Sequence, residues 1–171
     1  MKALILSDSH GFEKELEVIT ERHQHEVDLL IHCGDSELPK DHSVLQRLNV
    51  VKGNCDGDAN FPKEWIDNID GVGIYATHGH LLNVKMTLLP LQYRAEEVNA
   101  DIACFGHTHV ATAFETNGVI FINPGSIRKP LTGQKQTYCI LKRKDFETIV
   151  TFYEYSGNVI ECMTKRFTKS K

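Results

Sequence analysis

The sequence lacks the features of a membrane or secreted protein. No apolar run approaches the length that a transmembrane helix requires. Polar Asp8 and His10 follow only a short apolar run at the N-terminus, which does not resemble a signal peptide. The five cysteines are irregularly spaced and include no Cys-x-x-Cys pair, so the pattern does not indicate a disulfide framework. We therefore expect a cytoplasmic protein.

The chain also lacks an excess of positive charge. It carries 19 Lys and Arg against 23 Asp and Glu, a formal net charge of −4, so no global positive field would attract nucleic acid. The basic residues at 165–171 form a tail, which we expect to be a frayed, solvated terminus. Repeats, low-complexity segments and interdomain linkers are absent as well. A length of 171 residues therefore favours one domain spanning 1–171.

The periodicity of apolar residues predicts an α/β fold whose C-terminal half is mostly antiparallel β. Strands are predicted over residues 3–6, 27–32, 50–51, 65–69, 72–77, 101–105, 110–115, 119–122, 137–141, 148–155 and 159–163. Helices are predicted over residues 12–25, 44–48 and 84–99, and Pro90 should kink the last helix or mark a second start. Asp70-Gly71 and Asn117-Gly118 are hairpin dipeptides. Two facing sheets with helices outside would accommodate both halves.

Side chains of the metal-ligand type follow the predicted strands. Asp8 and His10 come directly after residues 3–6, and alternation along an extended chain would point both to the same side. Three later strands and one polar loop repeat the layout, with Gly34-Asp35, Gly53-Asn54, His78-Gly79-His80 and Gly106-His107-Thr108-His109. Each segment alone has an ordinary interpretation as a turn, a cap or a surface histidine. Together they favour one metal site along a shared rim.

The types and number of these ligands narrow the choice of metal and the number of metal ions. Carboxylate, amide and imidazole groups without clustered cysteines suit Mn, Fe, Ni, Co or Zn. A structural zinc site is closed by four ligands, and the sequence offers about twice that number of candidates, so two metals are the more economical interpretation. Two divalent ions ~3.5–4 Å apart can hold a hydroxide and clamp a phosphoryl group.

These motifs, in this order, resemble the calcineurin-like metallophosphoesterase superfamily, and in particular its branch of small bacterial and archaeal phosphodiesterases. The resemblance implies a four-layer double β-sandwich of two mixed sheets flanked by α-helices. It also implies two divalent ions, with Mn²⁺ the first choice. One ion would be held by Asp8, His10, Asp35 and His109, and the other by Asp35, Asn54, His78 and His107. Asp35 would bridge the two ions.

One position departs from the wider family pattern. Cys55 occupies the place of a histidine that the family is thought to use to protonate the leaving group or to hold the phosphate. The general acid therefore stays open among Cys55, His80, Asp56 and water, and Cys55 also has an ordinary interpretation as a turn residue. The predicted catalytic set is completed by Asp35 and Asn54.

The sequence thus favours a phosphodiesterase that hydrolyses small phosphodiesters through a metal-bridging hydroxide. A phosphomonoesterase, including a protein phosphatase, is the alternative among enzymes. A protein-binding scaffold is the alternative outside them, because the retromer scaffold subunit resembles this fold while having lost much of its catalytic set. All seven metal positions are filled here, which favours an enzyme. Exposed strands of the C-terminal half would permit a homodimer or a higher homo-oligomer.

Overall fold

A computed structural model describes residues 1–168, which form eleven strands and two α-helices. The strands are β1 (Lys2–Leu6), β2 (Leu29–His32), β3 (Asn49–Val50), β4 (Glu64–Ile69), β5 (Val72–Thr77), β6 (Ile102–Cys104), β7 (Thr112–Thr116), β8 (Val119–Asn123), β9 (Thr137–Lys144), β10 (Glu147–Glu154) and β11 (Lys165–Thr168). The helices are α1 (Glu13–His23) and α2 (Leu89–Glu97), and single 3-10 turns span Ser43–Leu45, His80–Leu82 and Glu161–Met163.

The strands form two mixed sheets. The six-stranded sheet has the order β11-β10-β9-β1-β2-β3, in which β1, β2 and β3 run parallel. The five-stranded sheet has the order β4-β5-β6-β8-β7, in which β5, β6 and β8 run parallel. Parallel strands bring their carboxyl ends to the same edge of a sheet, and this edge carries the polar motifs.

Alternation along β1 explains how the layers stack. Ala3 and Ile5 belong to a core shared by both sheets, whereas Leu4 and Leu6 face the other way and pack with α1. A third core lies between the outer face of the five-stranded sheet and α2. The central strands are apolar on both faces because both faces are covered. The predicted four-layer double β-sandwich is confirmed.

The helix predicted over 84–99 is shorter than expected. It begins at Leu89, and Pro90 lies in its first turn. Pro90 therefore marks the start of a helix, which was one of its two expected roles, and does not kink a longer one. The preceding residues form turns, with Asn83 in the left-handed region at φ 52°. No helix among the described residues has the length and apolarity to cross a lipid bilayer.

The C-terminal segment differs from the prediction. The prediction of a strand over 159–163 is wrong. Val159 makes an isolated bridge to Tyr153, and a 3-10 turn, Glu161–Met163, follows it. The strand lies later, in β11, which pairs with the start of β10. Residues 165–168 are therefore part of the sheet rather than a frayed end, because the open edge of β10 supplies hydrogen-bond partners. The rest of the predicted tail, 169–171, lies outside the described residues.

Both predicted hairpin turns form. Asp70 and Gly71 have φ values of 53° and 81°, and Asn117 and Gly118 have values of 51° and 77°. Two consecutive left-handed residues are the requirement of a type I′ turn, which Asp-Gly and Asn-Gly satisfy with little strain.

Candidate metal centre

Seven ligand-type side chains meet at the rim where the parallel strands of both sheets end. Asp8 and His10 follow β1, and Asp35 follows β2. The remaining four are Asn54 in the loop after β3, His78 after β5, and His107 and His109 after β6. All seven are the metal positions inferred from the sequence.

The backbone reaches this arrangement in an unexpected way. Five of the seven positions have left-handed φ values, namely Asp8 (55°), His10 (44°), Asp35 (55°), His107 (66°) and His109 (59°). The extended backbone expected at residues 8 and 10 is therefore wrong, but the two side chains do face the same side, as expected. Such conformations cost of order 1–3 kcal/mol each and cluster at functional sites. Asp, Asn and His tolerate this region better than most residues do.

Asp8, His10 and His109 form the first group of ligands. His109 Nε2 lies 3.0 Å from Asp8 Oδ1, and His10 Nε2 lies 3.9 Å from the same oxygen. The two imidazole Nε2 atoms are 3.4 Å apart. Three potential donor atoms thus face one small volume, as a shared cation would require.

Asp35, Asn54, His78 and His107 form the second group. His78 Nε2 lies 3.4 Å from Asp35 Oδ2 and 3.1 Å from Asn54 Oδ1. The rings of His78 and His107 are 5.0 Å apart between centroids. Carboxylate, amide and imidazole atoms again converge on one point.

Asp35 connects the two groups. Its carboxylate lies within 4.8 Å of donor atoms on Asp8 and His78, and separately of donor atoms on His10 and Cys55. Its Oδ1 also accepts a 2.7 Å hydrogen bond from the backbone N–H of Cys55. A carboxylate placed between two sets of donors is suited to bridging two cations.

Three of the ligand histidines are oriented by their second ring nitrogen. Nδ1 of His10 is 2.7 Å from Oε1 of Glu37, and Nδ1 of His78 is 2.7 Å from the carbonyl oxygen of Cys33. Nδ1 of His109 bonds the carbonyl oxygen of Lys129. Each Nδ1–H therefore donates to an oxygen and each Nε2 faces the centre, which fixes the ring for metal binding. Sequence reasoning missed all three partners, because the two backbone carbonyls carry no residue-specific signal and Glu37 lies outside the ligand motifs.

The charge state of the ligands fits bound cations. Oδ1 of Asp8 is buried, and the Nε2 atoms of His109 and His10 face it at 3.0 Å and 3.9 Å, so these three donor atoms can share a positive ion. Burial alone would raise the pKa of Asp8, but bonding to the His109 imidazole outweighs it and the net pKa is lowered. Burial, helped by the charges of His78 and Lys85, lowers the pKa of His107 to about 4, so that ring is neutral with a lone pair available. The donor set therefore suits divalent metal ions.

Asp56, one of the expected general-acid candidates, lies beneath the centre rather than in it. Oδ2 accepts from the backbone N–H groups of Asp35 and Gly53, and Oδ1 accepts from Ser36 Oγ and the Glu37 N–H. The side chain is buried. Its four acceptor contacts join the loops after β2 and β3, so the geometry indicates a structural role.

Cys55 and His80 lie at the open side of the centre. Cys55 is exposed, and the Asn54 amide donates to its Sγ over 3.2 Å. Partial burial and the neighbouring Asp35 carboxylate raise the pKa of this thiol to about 11. The His80 ring lies 5.3 Å from that of His78 and 6.1 Å from that of His107, and its buried Nδ1 has no partner among residues 1–168. Both remain candidates to contact a substrate.

Glycines let the loops approach the ligands closely. A Cβ at Gly53 would lie 2.0 Å from Asp35 Oδ1, and one at Gly106 would lie 2.0 Å from Ser7 Oγ and 2.8 Å from Asp8 Oδ2. Neither contact is tolerable, so the Gly-Asn and Gly-His spacings of the motifs have a steric cause.

The loop that contains Ser126 and Arg128 supports the first group from below. Ser126 Oγ donates to the Asp8 carbonyl oxygen over 2.7 Å. The Arg128 guanidinium donates to the His10 carbonyl oxygen and lies 4.7 Å above the Phe12 ring. Arg128 therefore holds the backbone of a ligand.

Comparison with known proteins gives a consistent result. A family model described as "Calcineurin-like phosphoesterase superfamily domain" matches residues 1–145. A Bacillus subtilis protein named "Probable metallophosphoesterase YsnB" is 48% identical over 98% of this chain and 99% of its own length. The Escherichia coli "Phosphodiesterase YfcE" is 29% identical over 82% of this chain and 87% of its own length.

A solved structure from Streptococcus pneumoniae, described as a conserved uncharacterized protein and predicted phosphoesterase, has the same architecture. Its TM-score is 0.95 at 33% identity, and the match covers 98% of this chain and 97% of that one. The chain belongs to the calcineurin-like phosphoesterase superfamily.

Proposed function

We propose that this protein is a phosphodiesterase that binds two divalent metal ions, with Mn²⁺ the first choice, and hydrolyses small phosphodiesters. One observation carries the proposal: the Asp35 carboxylate lies within 4.8 Å of donor atoms on Asp8 and His78 and, separately, on His10 and Cys55, and Asp8 and His10 also form a triplet with His109. A single structural ion would need about four ligands, whereas seven converge here.

Metal ions bound at this site would supply a nucleophile by acidifying water and would offset charge on the phosphoryl oxygens. The protein's part is to hold the ligands in place before the substrate arrives. The Nδ1 contacts of His10, His78 and His109 fix three rings. Asp56 fixes the backbone of Asp35. Prior fixing of this kind is where much of catalytic power originates, because no reorganisation is needed during reaction.

Two features favour diesters over monoesters. Cys55 presents a neutral thiol where the wider family has an imidazole, so this position supplies no positive charge for the second negative charge of a monoester. Asn54 and Cys55 are both exposed, so the site has an open side that can admit an ester with two arms. The relative named a phosphodiesterase supports the same choice.

The test is hydrolysis of bis-p-nitrophenyl phosphate and p-nitrophenyl phosphate by protein stripped with chelator and reloaded with Mn²⁺. We expect diester turnover that disappears on stripping and returns on reloading, with kcat/KM for the diester at least about tenfold higher. A preference for the monoester would make the phosphomonoesterase alternative correct. Absence of hydrolysis by fully loaded protein would leave the protein-binding scaffold.

A further inference from the structure

An open cavity of about 600 Å³ begins at the candidate metal centre. His107 and His109, one from each ligand group, form part of its wall. Its volume lies within the range of small-molecule sites. No step of the proposed hydrolysis uses it, so its chemistry requires a separate account.

The rest of the lining is mostly apolar. Val84 and Phe105 are buried, at 5% and 2% exposure, and Leu88 and Val110 are partly buried. Leu131 is 49% exposed and also lines the cavity. An apolar surface that directly adjoins a cluster of charged and imidazole groups is what a ligand with an ionic head and an apolar body would match.

The cavity is shaped before any ligand binds. Gly79 has φ 94°, and a Cβ there would lie 2.8 Å from Val84 Cγ2, so the glycine lets Val84 pack directly against the backbone of residue 79. The Phe105 N–H donates to the Ile122 carbonyl oxygen, which holds it at the end of β6. A preformed pocket binds without the cost of ordering its walls.

Among the described residues that line the cavity, Lys85 is the one Lys, Arg, Asp or Glu. The side chain is exposed, and no carboxylate among residues 1–168 lies in salt-bridge distance of it. A positive charge beside the centre favours an anionic phosphoryl group at the centre. The Lys85 charge does not stabilise an uncharged substituent, which would instead contact the apolar walls.

We propose that this cavity binds an apolar substituent esterified to the substrate phosphate, so that the protein selects phosphodiesters with an arm of about the size of an aromatic ring. The inference rests on the proposed function, because the phosphoryl group must lie at the metal centre. From there the substituent reaches the cavity directly, since His107 and His109 belong to both. Small or highly polar arms would leave the apolar walls in contact with water.

The test compares binding of methylphenylphosphinate and dimethylphosphinate, monoanions without an ester bond to hydrolyse, to the Mn²⁺-loaded protein by calorimetry. Both carry the same anionic head, so the ratio of their affinities reports on the apolar part alone. We expect methylphenylphosphinate to bind about tenfold more tightly, because the ring leaves water for the cavity. Equal affinities would overturn the inference.

Two double variants test whether this cavity causes the difference in affinity. Leu88→Ala combined with Leu131→Ala removes two walls and should reduce the ratio to about two or less. The matched control is Leu81→Ala combined with Leu89→Ala, since these leucines are 60% and 53% exposed and lie outside the cavity lining. The control should keep the ratio. Equal ratios in the two double variants would contradict the assignment to this cavity.

The two proposals fail differently. If diesters are hydrolysed but the two phosphinates bind equally or do not bind, only the cavity assignment is wrong. If the loaded protein neither hydrolyses diesters nor binds either phosphinate, the proposed function and the inference are both wrong.

Discussion

The backbone N–H of Asp35 donates a 2.9 Å hydrogen bond to Oδ2 of Asp56. The same oxygen accepts from the N–H of Gly53 at 2.7 Å, and the other oxygen accepts two further bonds from the loop after β2. One buried carboxylate therefore fixes the loop of Asp35, the proposed bridging ligand, relative to the loop that carries Asn54.

Asp56→Asn should weaken metal binding without removing a ligand. The amide retains one acceptor oxygen and turns donors toward backbone N–H groups, so Asp35 loses its fixed position. We expect the Mn²⁺ concentration for half-maximal activity to rise about 10–100-fold, with activity largely restored at saturating Mn²⁺. The control is Asp67→Asn, at an exposed strand position. A lower kcat at saturating Mn²⁺ with an unchanged metal requirement would instead indicate a chemical role for Asp56.

Gly53→Ala and Gly57→Ala form a matched pair within one loop. A Cβ at residue 53 would lie 2.0 Å from Asp35 Oδ1 and 2.3 Å from Asp35 N, whereas a Cβ at residue 57 would meet nothing within 4 Å. We expect Gly53→Ala to lower Mn²⁺ affinity at least about tenfold and Gly57→Ala to leave it unchanged. Calorimetric metal titration measures both. Equal affinities would mean that the loop shifts freely and that Asp35 is not held as described.

The sequence predicted the positions of the ligands better than their geometry. Apolar runs that are followed by Asp, Asn or His predicted the edge of the sheets where the candidate ligands lie. This works because buried parallel strands end at one edge of a sheet whatever their register. The left-handed backbone at Asp8 and His10 was not predictable in this way, since it depends on contacts with other loops. Cys33 contributes a carbonyl oxygen to His78, and that role is invisible in a residue pattern.

Two errors in the fold have a similar origin. Residues 84–99 have a helical pattern throughout, but the sequence alone did not decide between the two roles of Pro90. Residues 165–168 are mostly charged or polar, and they form a strand only because the open edge of β10 accepts them. The local pattern of apolar residues indicates which residues are buried. Whether a polar segment pairs at the edge of a sheet depends instead on the neighbouring strand.

Cys33 and Cys104 are fully buried in the core shared by the two sheets. Burial holds both pKa values above the ordinary thiol range, so each acts as a small apolar side chain. Cys33→Ala and Cys104→Ala should each lower the free energy of unfolding by roughly 1–2 kcal/mol. Denaturant unfolding measures this, with exposed Cys162→Ala as a neutral control. Lost metal occupancy without lost stability would show a role in the site.

Cys55 provides a test of leaving-group protonation. A thiol has a reference pKa of ~8.5 and an imidazole ~6.5, so histidine is the better acid near neutrality. Cys55→His should raise kcat/KM more for alkyl esters than for nitrophenyl esters, and Cys55→Ala should change nitrophenyl diester hydrolysis little. The measurement is kcat/KM for the three proteins across leaving groups of graded pKa. Unchanged leaving-group dependence in Cys55→His, or a large loss in Cys55→Ala, would contradict this role.

The bridging position of Asp35 is the central claim, and metal stoichiometry tests it most directly. Protein stripped of metal is titrated with Mn²⁺, and bound metal per chain is measured for wild type, Asp35→Asn and the surface control Asp67→Asn. We predict about two ions per chain in wild type and control. In Asp35→Asn we predict weakened binding at both positions and lost diester turnover, with the fold retained. Two ions bound at wild-type affinity by Asp35→Asn, with turnover intact, would contradict the account.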